Sequence, residues 1–348
     1  MRFDEVVQQR SDDRRRRIDF FTEQHRLSRK HHIPQHTAAG TGQNTDEKEA
    51  FRIMDAALDA GINYFDTSNN YGGGDRCNFG LSEEIIGRWF KQGGNRRERT
   101  IIATKVYFRM GDPNDGPNDA VGLSAYKIRR HIEGSLRRLQ TDHIELYQMH
   151  HIDRRVSWLE LWGAFTDLVS QGKVVYMGSS NFAGRDLVRA QYEAKKFPFL
   201  GLVTEQHRYN LLCRLPELEV LPAALEEGIG VVPYSPLSGG LLTENALSMQ
   251  NTVRTKMAME RFGGAKFIPK LEAFRDLCQE LGETQSNVAL AWHLKNPAIT
   301  APIMGCRTVE HLNNALRAVE IDLSDEVMKK LDEIFPGPGG SAPEAYSW

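Results

Sequence analysis

Cysteine is scarce in this chain, long apolar runs are missing and net charge is close to zero, and each shortage removes a class of protein. The four cysteines, Cys77, Cys213, Cys278 and Cys306, are far apart and form no CxxC pair. That argues against a disulfide framework or a zinc module and points to a reduced, cytoplasmic setting. No stretch approaches the roughly 18 apolar residues of a membrane span, and the first residues lack the apolar centre of a signal peptide, so a membrane is not an expected partner. A formal charge of -2 over 348 residues gives no reason to expect nucleic acid either. Two nucleotide signatures are also missing, G-x-G-x-x-G after a strand and G-x-x-x-x-G-K-[ST]. No heptad pattern speaks to the oligomeric state.

What is present, from residue 46 onward, is alternation. Apolar strand-like runs at 62–66, 101–105, 144–149, 174–178, 202–206, 230–234 and 299–304 are separated by helical patterns at 46–60, 82–92, 124–139, 157–171, 184–196, 216–227, 284–294 and 309–318. Strand-helix alternation of this kind specifies a parallel α/β sheet. With seven strands legible, the expected fold is a (β/α)8 TIM barrel over residues 45–334, its missing strand preceding the helix at 46–60. Residues 1–44 form an atypical basic arm, with the run Arg14-Arg15-Arg16-Arg17 and no period-2 apolar stretch, which leaves strand 1 poor or replaced. Such an arm is either a divergent, functional segment or the product of a wrong start or frame shift. The tail 335–348, opened by Phe335-Pro336-Gly337-Pro338-Gly339-Gly340, ends the last helix and is expected to run over the surface. Two loops, Val106 to Leu123 and Ser235 to Lys266, would sit on the rim at the strand C-termini, where this fold carries its chemistry.

Three strand-like runs end in polar residues. Ile62-Asn63-Tyr64-Phe65-Asp66 ends in an acid and is followed five residues later by Tyr71. Ile101-Ile102-Ala103-Thr104-Lys105 ends in a lysine, and Ile144-Glu145-Leu146-Tyr147-Gln148-Met149 runs into His150 and His151. Taken singly, each has a plainer role: a turn-forming acid, a packed tyrosine, a solvated lysine. The adjacent histidines suggest a metal, but no third ligand stands at a suitable spacing.

Together, the segments Phe65-Asp66-Thr67, Tyr71-Gly72, Ala103-Thr104-Lys105 and Leu146-Tyr147-Gln148-Met149-His150-His151 resemble the Asp-Tyr-Lys-His active site of the aldo-keto reductases, and the resemblance runs from about Thr45 to the C-terminus. It implies an NADPH-dependent reductase of a small-molecule carbonyl substrate. Hydride reduction of a carbonyl needs a proton donor for the oxygen, and a phenol with an ordinary pKa near 10 needs help to serve. The implied roles are Tyr71 as proton donor, Lys105 and Asp66 as the pair that tunes it, and His150 as the group that orients the carbonyl.

The cofactor assignments follow the same resemblance. Gly178-Ser179-Ser180-Asn181-Phe182 implies that Ser180 and Asn181, with Gln206, hydrogen-bond the nicotinamide amide. Val232-Pro233-Tyr234-Ser235-Pro236-Leu237 implies that Tyr234 stacks on the nicotinamide ring while Ser235 and Leu237 approach the pyrophosphate. Pro302-Ile303-Met304-Gly305-Cys306-Arg307-Thr308 is similar to the segment that grips the adenosine 2′-phosphate. Arg307 there favours NADPH over NADH, with Gly305 and His311 as neighbours. The chain departs from the family at Cys306, where Ala or Ser is usual, at His311, where Gln or Arg is common, and at Ala315, where Asn is common. The resemblance leaves open sugars, quinones, small aldehydes and keto esters as substrates. It also extends to the potassium-channel β subunits, which implies a nucleotide-binding interaction subunit as the alternative to an enzyme. A further alternative is a barrel whose altered N-terminus has cost it the cofactor.

Overall fold

The computed structural model describes residues 45–72, 79–111, 121–247, 259–260, 262 and 264–342. Helix α1 (Glu47–Asp59) starts where Asp46 accepts a hydrogen bond from the Glu49 amide at 2.8 Å, a side-chain cap that satisfies one of the free amides of a first turn. Strand β1 (Tyr64–Asp66) follows, then α2 (Leu81–Lys91), β2 (Ile101–Val106), α3 (Ala125–Leu139), β3 (Ile144–Met149), α4 (Trp158–Ser170), β4 (Val174–Ser180), α5 (Gly184–Ala194), β5 (Leu202–Gln206), α6 (Val220–Glu226) and β6 (Gly230–Val231). The last four helices are α7 (Ile268–Glu280), α8 (Gln285–Lys295), α9 (Val309–Leu316) and α10 (Asp325–Ile334). Ser124, Ser157, Thr284, Thr308 and Ser324 cap α3, α4, α8, α9 and α10 in the same way as Asp46 caps α1.

The six strands form one sheet in chain order, every neighbouring pair parallel. Strand β1 begins at Tyr64, two residues later than its sequence run, and two further expected strands are shorter or less regular than their runs suggest because each contains a proline. Pro233 has no N–H to give to the ladder, so β6 ends at Val231, although Val232 and Tyr234 still donate to the Glu205 and His207 carbonyls at 2.9 Å. The run 299–304, interrupted by Pro302, lies beside β6 through a parallel Val231–Ile299 bridge, with Thr300 donating to Val231 at 2.8 Å and Ile303 to Pro233 at 2.7 Å. The expected strand 1 and basic arm fall in residues 1–44, outside the described residues. Helix α9 packs against α1, and the Thr45 hydroxyl donates to the Arg307 carbonyl at 3.2 Å, so the C-terminal helices return to the beginning of the sheet.

Helix α7 had no counterpart among the sequence patterns; Ile268-Pro269 opens it without a capping side chain, although Leu271, Phe274, Leu277 and Cys278 are buried at helical spacing. The described part of the tail, residues 335–342, is held more firmly than its Pro and Gly content suggests. Phe335 is buried against Phe274, its carbonyl accepts from Arg214 at 2.9 Å, and Ala342 donates to the Leu218 carbonyl at 2.9 Å.

Side chains alternate across each strand. Phe65, Ile102, Tyr147 and Met149 join the large core formed with the helices. On the opposite face Tyr64, Ala103 and Leu146 form a small separate apolar cluster. Two residues further along each of these strands, on that same face, stand Asp66, Lys105 and Gln148.

Candidate active site

Polar side chains on this face lie at the C-terminal ends of the strands, and they are buried together. Asp66 ends β1, Lys105 is the penultimate residue of β2, and both side chains are fully inaccessible. Such burial demands pairing. Lys105 Nζ donates to Asp66 Oδ2 at 2.6 Å, to the Thr67 carbonyl at 2.8 Å and to the Tyr71 hydroxyl at 3.4 Å. It also lies 4.8 Å from the centre of the Tyr71 ring. Burial is the largest influence on this ammonium and holds it below the ordinary lysine value of 10.5, while Asp66 pulls the other way. The other oxygen of Asp66, Oδ1, accepts from Gln148 Nε2 at 3.0 Å and Gln206 Nε2 at 2.8 Å. The carboxylate is thereby fixed on both sides and its lysine points at the phenol.

Tyr71 reaches this point because the chain turns tightly after β1, its amide donating to the Ser68 carbonyl at 3.1 Å, and because its own carbonyl accepts from Ser82 at the start of α2. Its hydroxyl is 3.5 Å from His150 Nε2, the rings meeting edge to face. His150 follows β3 directly, its amide continuing the ladder to the Val106 carbonyl at 3.0 Å. Phe108 packs edge-on against it at 4.9 Å. A second tyrosine nearby, Tyr64, cannot replace Tyr71 as acid: burial, and then the Asp66 charge, push its phenol well above the ordinary value of 10.0. His151 is exposed, turned to the Ile152 carbonyl and stacked near Tyr107. The two neighbouring histidines do not converge, and no group of three metal-binding side chains occurs among the described residues.

Of the residues assigned to a cofactor, Ser180, Asn181, Gln206 and Tyr234 stand together. Ser180 Oγ donates to the Gln206 carbonyl at 2.8 Å, and Asn181 Nδ2 donates to the His150 carbonyl at 3.2 Å and to Ser180 Oγ at 2.9 Å. The Tyr234 hydroxyl donates to Asn181 Oδ1 at 3.0 Å. Asn181 has φ 60° and Ser235 φ 56°, left-handed conformations that a non-glycine residue keeps only where its surroundings impose them. Like Ser235, the residues Ser238, Gly239 and Gly240 have positive φ, and the buried Ser238 Oγ has no hydrogen-bond partner among the described residues. Left-handed turns aim successive amides into a concavity that suits an anion, so an orphan hydroxyl there fits a pyrophosphate. Gly305, Arg307 and His311 are exposed around the Thr308-capped start of α9, apart from the buried cluster.

Gln148 was not among the sequence candidates, though it carries the same signal as Lys105: a polar residue inside a strand whose neighbours are buried. The two are register partners across β2 and β3. Gly178 was missed too. A Cβ there would lie 2.3 Å from Thr204 Oγ1 and 3.1 Å from Gln148 Cγ, so the glycine makes room for the glutamine. Gly178→Ala is expected to cost about 1–3 kcal/mol of stability through overpacking, measured by urea unfolding, and to lower any activity that depends on Asp66 by displacing Gln148.

The sequence profile of the aldo/keto reductase family matches residues 36–335. The chain belongs to the aldo/keto reductase family. It is 62% identical over 307 residues to the uncharacterized oxidoreductase YrpG of Bacillus subtilis, covering 88% of this chain and 93% of that protein. It is 35% identical to a putative aryl-alcohol dehydrogenase of Schizosaccharomyces pombe, covering 83% and 86% of the two chains. A putative voltage-gated potassium channel subunit beta of the same yeast is 32% identical, with 83% and 85% covered. No helix among the described residues is long and apolar enough to cross a membrane.

Proposed function

We propose that this protein is an oxidoreductase that reduces an aldehyde or ketone to an alcohol with NADPH, on a (β/α)8 barrel. The observation that carries the reading is the Lys105 ammonium, buried between Asp66 and the Tyr71 hydroxyl, with His150 on the same hydroxyl. Bound NADPH would supply hydride to the carbonyl carbon. Tyr71 gives its proton to the carbonyl oxygen as negative charge develops there, and the ammonium 3.4 Å away stabilises the phenolate left behind. Asp66, held by two glutamines, keeps Lys105 charged and in place. His150 orients the carbonyl beside Tyr71. Ser180, Asn181 and Gln206 would hold the nicotinamide amide, with Tyr234 against the ring and Ser235 and Leu237 at the pyrophosphate. The packing of α9 on α1 supports closure of the barrel.

The test is steady-state oxidation of NADPH by a panel of simple aldehydes and ketones, with product alcohol quantified. No turnover of any of them, with the nucleotide bound, would overturn the enzyme reading. That result would favour the second one, carried by the potassium channel subunit among the relatives: an NADPH-binding interaction subunit. Failure to bind either nucleotide would indicate a barrel deprived of its cofactor by its first 44 residues.

Arg307, with Gly305 and His311 beside it, would hold the adenosine 2′-phosphate through charge-assisted hydrogen bonds. Arg307→Met is expected to weaken NADPH about 10- to 100-fold, since a hydrogen bond to a charged group contributes about 1.5–3 kcal/mol, and to leave NADH affinity unchanged. Titration of each nucleotide by protein fluorescence reads both values.

A further inference from the structure

The turn that delivers Tyr71 also contains a hydroxyl aimed at the far side of His150. Ser68 is fully buried, and its Oγ lies 2.6 Å from Asn70 Oδ1 and 3.1 Å from His150 Nδ1. A third neighbour, Asn69 Oδ1, is at 3.5 Å. A serine hydroxyl has one proton to donate, and a carboxamide oxygen only accepts. With the proton committed to the short Asn70 contact, Ser68 can only accept from the imidazole, so Nδ1 must carry hydrogen.

We infer that Ser68, oriented by Asn70, is a positioning residue that fixes His150 in its Nδ1–H form and reserves Nε2, the nitrogen 3.5 Å from the Tyr71 hydroxyl, for proton exchange. The inference rests on the reductase reading for its catalytic meaning but not for its structural content. In the neutral ring Nε2 accepts from the Tyr71 hydroxyl. When the ring gains a proton, the proton enters at Nε2, and only then does His150 become a donor toward a carbonyl oxygen beside Tyr71. Without Ser68 the neutral ring is free to take the opposite tautomer, in which Nε2–H can still orient a carbonyl but cannot accept from Tyr71, so the proton exchange between the two residues is lost. The direction of the chain, from imidazole to serine to asparagine, depends on which end of the Asn70 amide faces Ser68, and this sets the decisive measurement.

Protein labelled with 15N-histidine is observed by two-bond 15N–1H correlation at a pH where His150 is neutral, and His150→Gln identifies the resonance among the 11 histidines. The expected spectrum has protonated Nδ1 and bare Nε2. Ser68→Ala is expected to shift it toward Nε2–H, while Ser68→Thr and Asn70→Asp, which keep the hydroxyl and the accepting oxygen, preserve Nδ1–H. In turnover, Ser68→Ala is expected to lower kcat about tenfold, the equivalent of one hydrogen bond, with the KM for NADPH unchanged and with rescue by Ser68→Thr. Bare Nδ1 in the unmodified protein would overturn the inference, as would a Ser68→Ala protein with an unaltered tautomer and a normal melt. If Ser68→Ala does not fold, the spectra of the unmodified protein and of Asn70→Asp still decide. The tautomer is read without substrate, so a protein that reduces no carbonyl but shows Nδ1–H would refute the reductase reading and leave the relay standing.

Discussion

Tyr71→Phe is expected to bind NADPH within about twofold of the unmodified protein and to lose roughly 10³-fold or more in kcat for carbonyl reduction, in the range that a positioned general acid contributes. The change deletes one oxygen. The ring remains in its buried site, so its edge contact with His150 and its packing beneath the Lys105 ammonium survive. What disappears is the only hydroxyl within hydrogen-bonding distance of both Lys105 Nζ and His150 Nε2 among the described residues. Tyr64 cannot substitute, because it lies a layer deeper in the sheet and burial resists its ionisation. Nucleotide titration and single-turnover reduction measure the two effects separately. A Tyr71→Phe protein that still turns over would show that the carbonyl oxygen takes its proton from another group, and His150 would then be the candidate.

The strand ends were legible in the sequence because parallel strands buried on both faces are written as apolar runs, and a charged residue inside such a run stands out. Asp66, Lys105 and His150 could be placed from this signal and the family resemblance together. Gln148 carries the same signal but is uncharged, and in a strand such a residue is easily passed over until its partner is known. Gly178 and Ser68 were unreadable for a different reason. The need for a glycine arises from Thr204 and Gln148 on neighbouring strands, and the use of the serine from an imidazole 82 residues away. Strand lengths failed where proline stood inside the run, at Pro233 and Pro302, because apolar patterning does not register a missing N–H. Gln206 was read as a ligand for nicotinamide, yet its side-chain N–H₂ also supports Asp66. A side chain with donors and acceptors can serve two structures, and sequence names only the one for which a motif exists.

Lys105→Met should have the second large effect, on activity and stability together. Removing the ammonium leaves the Asp66 carboxylate fully buried, with only the glutamine amides on Oδ1 to compensate it. Breaking a buried pair from one side costs about 3–5 kcal/mol, whereas replacing both members can be nearly neutral. The double variant Asp66→Asn/Lys105→Met is therefore expected to regain most of the stability lost by Lys105→Met, and none of its activity, since no cation remains to stabilise the Tyr71 phenolate. That separation distinguishes a pair kept for chemistry from one kept for folding. The pH dependence gives an independent sign. Burial lowers the Lys105 value in the folded chain below 10.5, so in the alkaline range the folded protein binds fewer protons at this site than the unfolded chain, and its stability rises with pH from the lowered value toward the ordinary one. Lys105→Met removes this contribution. Urea unfolding of both proteins across that window should show the difference in unfolding free energy moving in favour of the lysine protein as pH increases. A difference that stays flat would mean that Asp66 offsets the burial of Lys105 in full, and that the ammonium remains charged throughout the catalytic range.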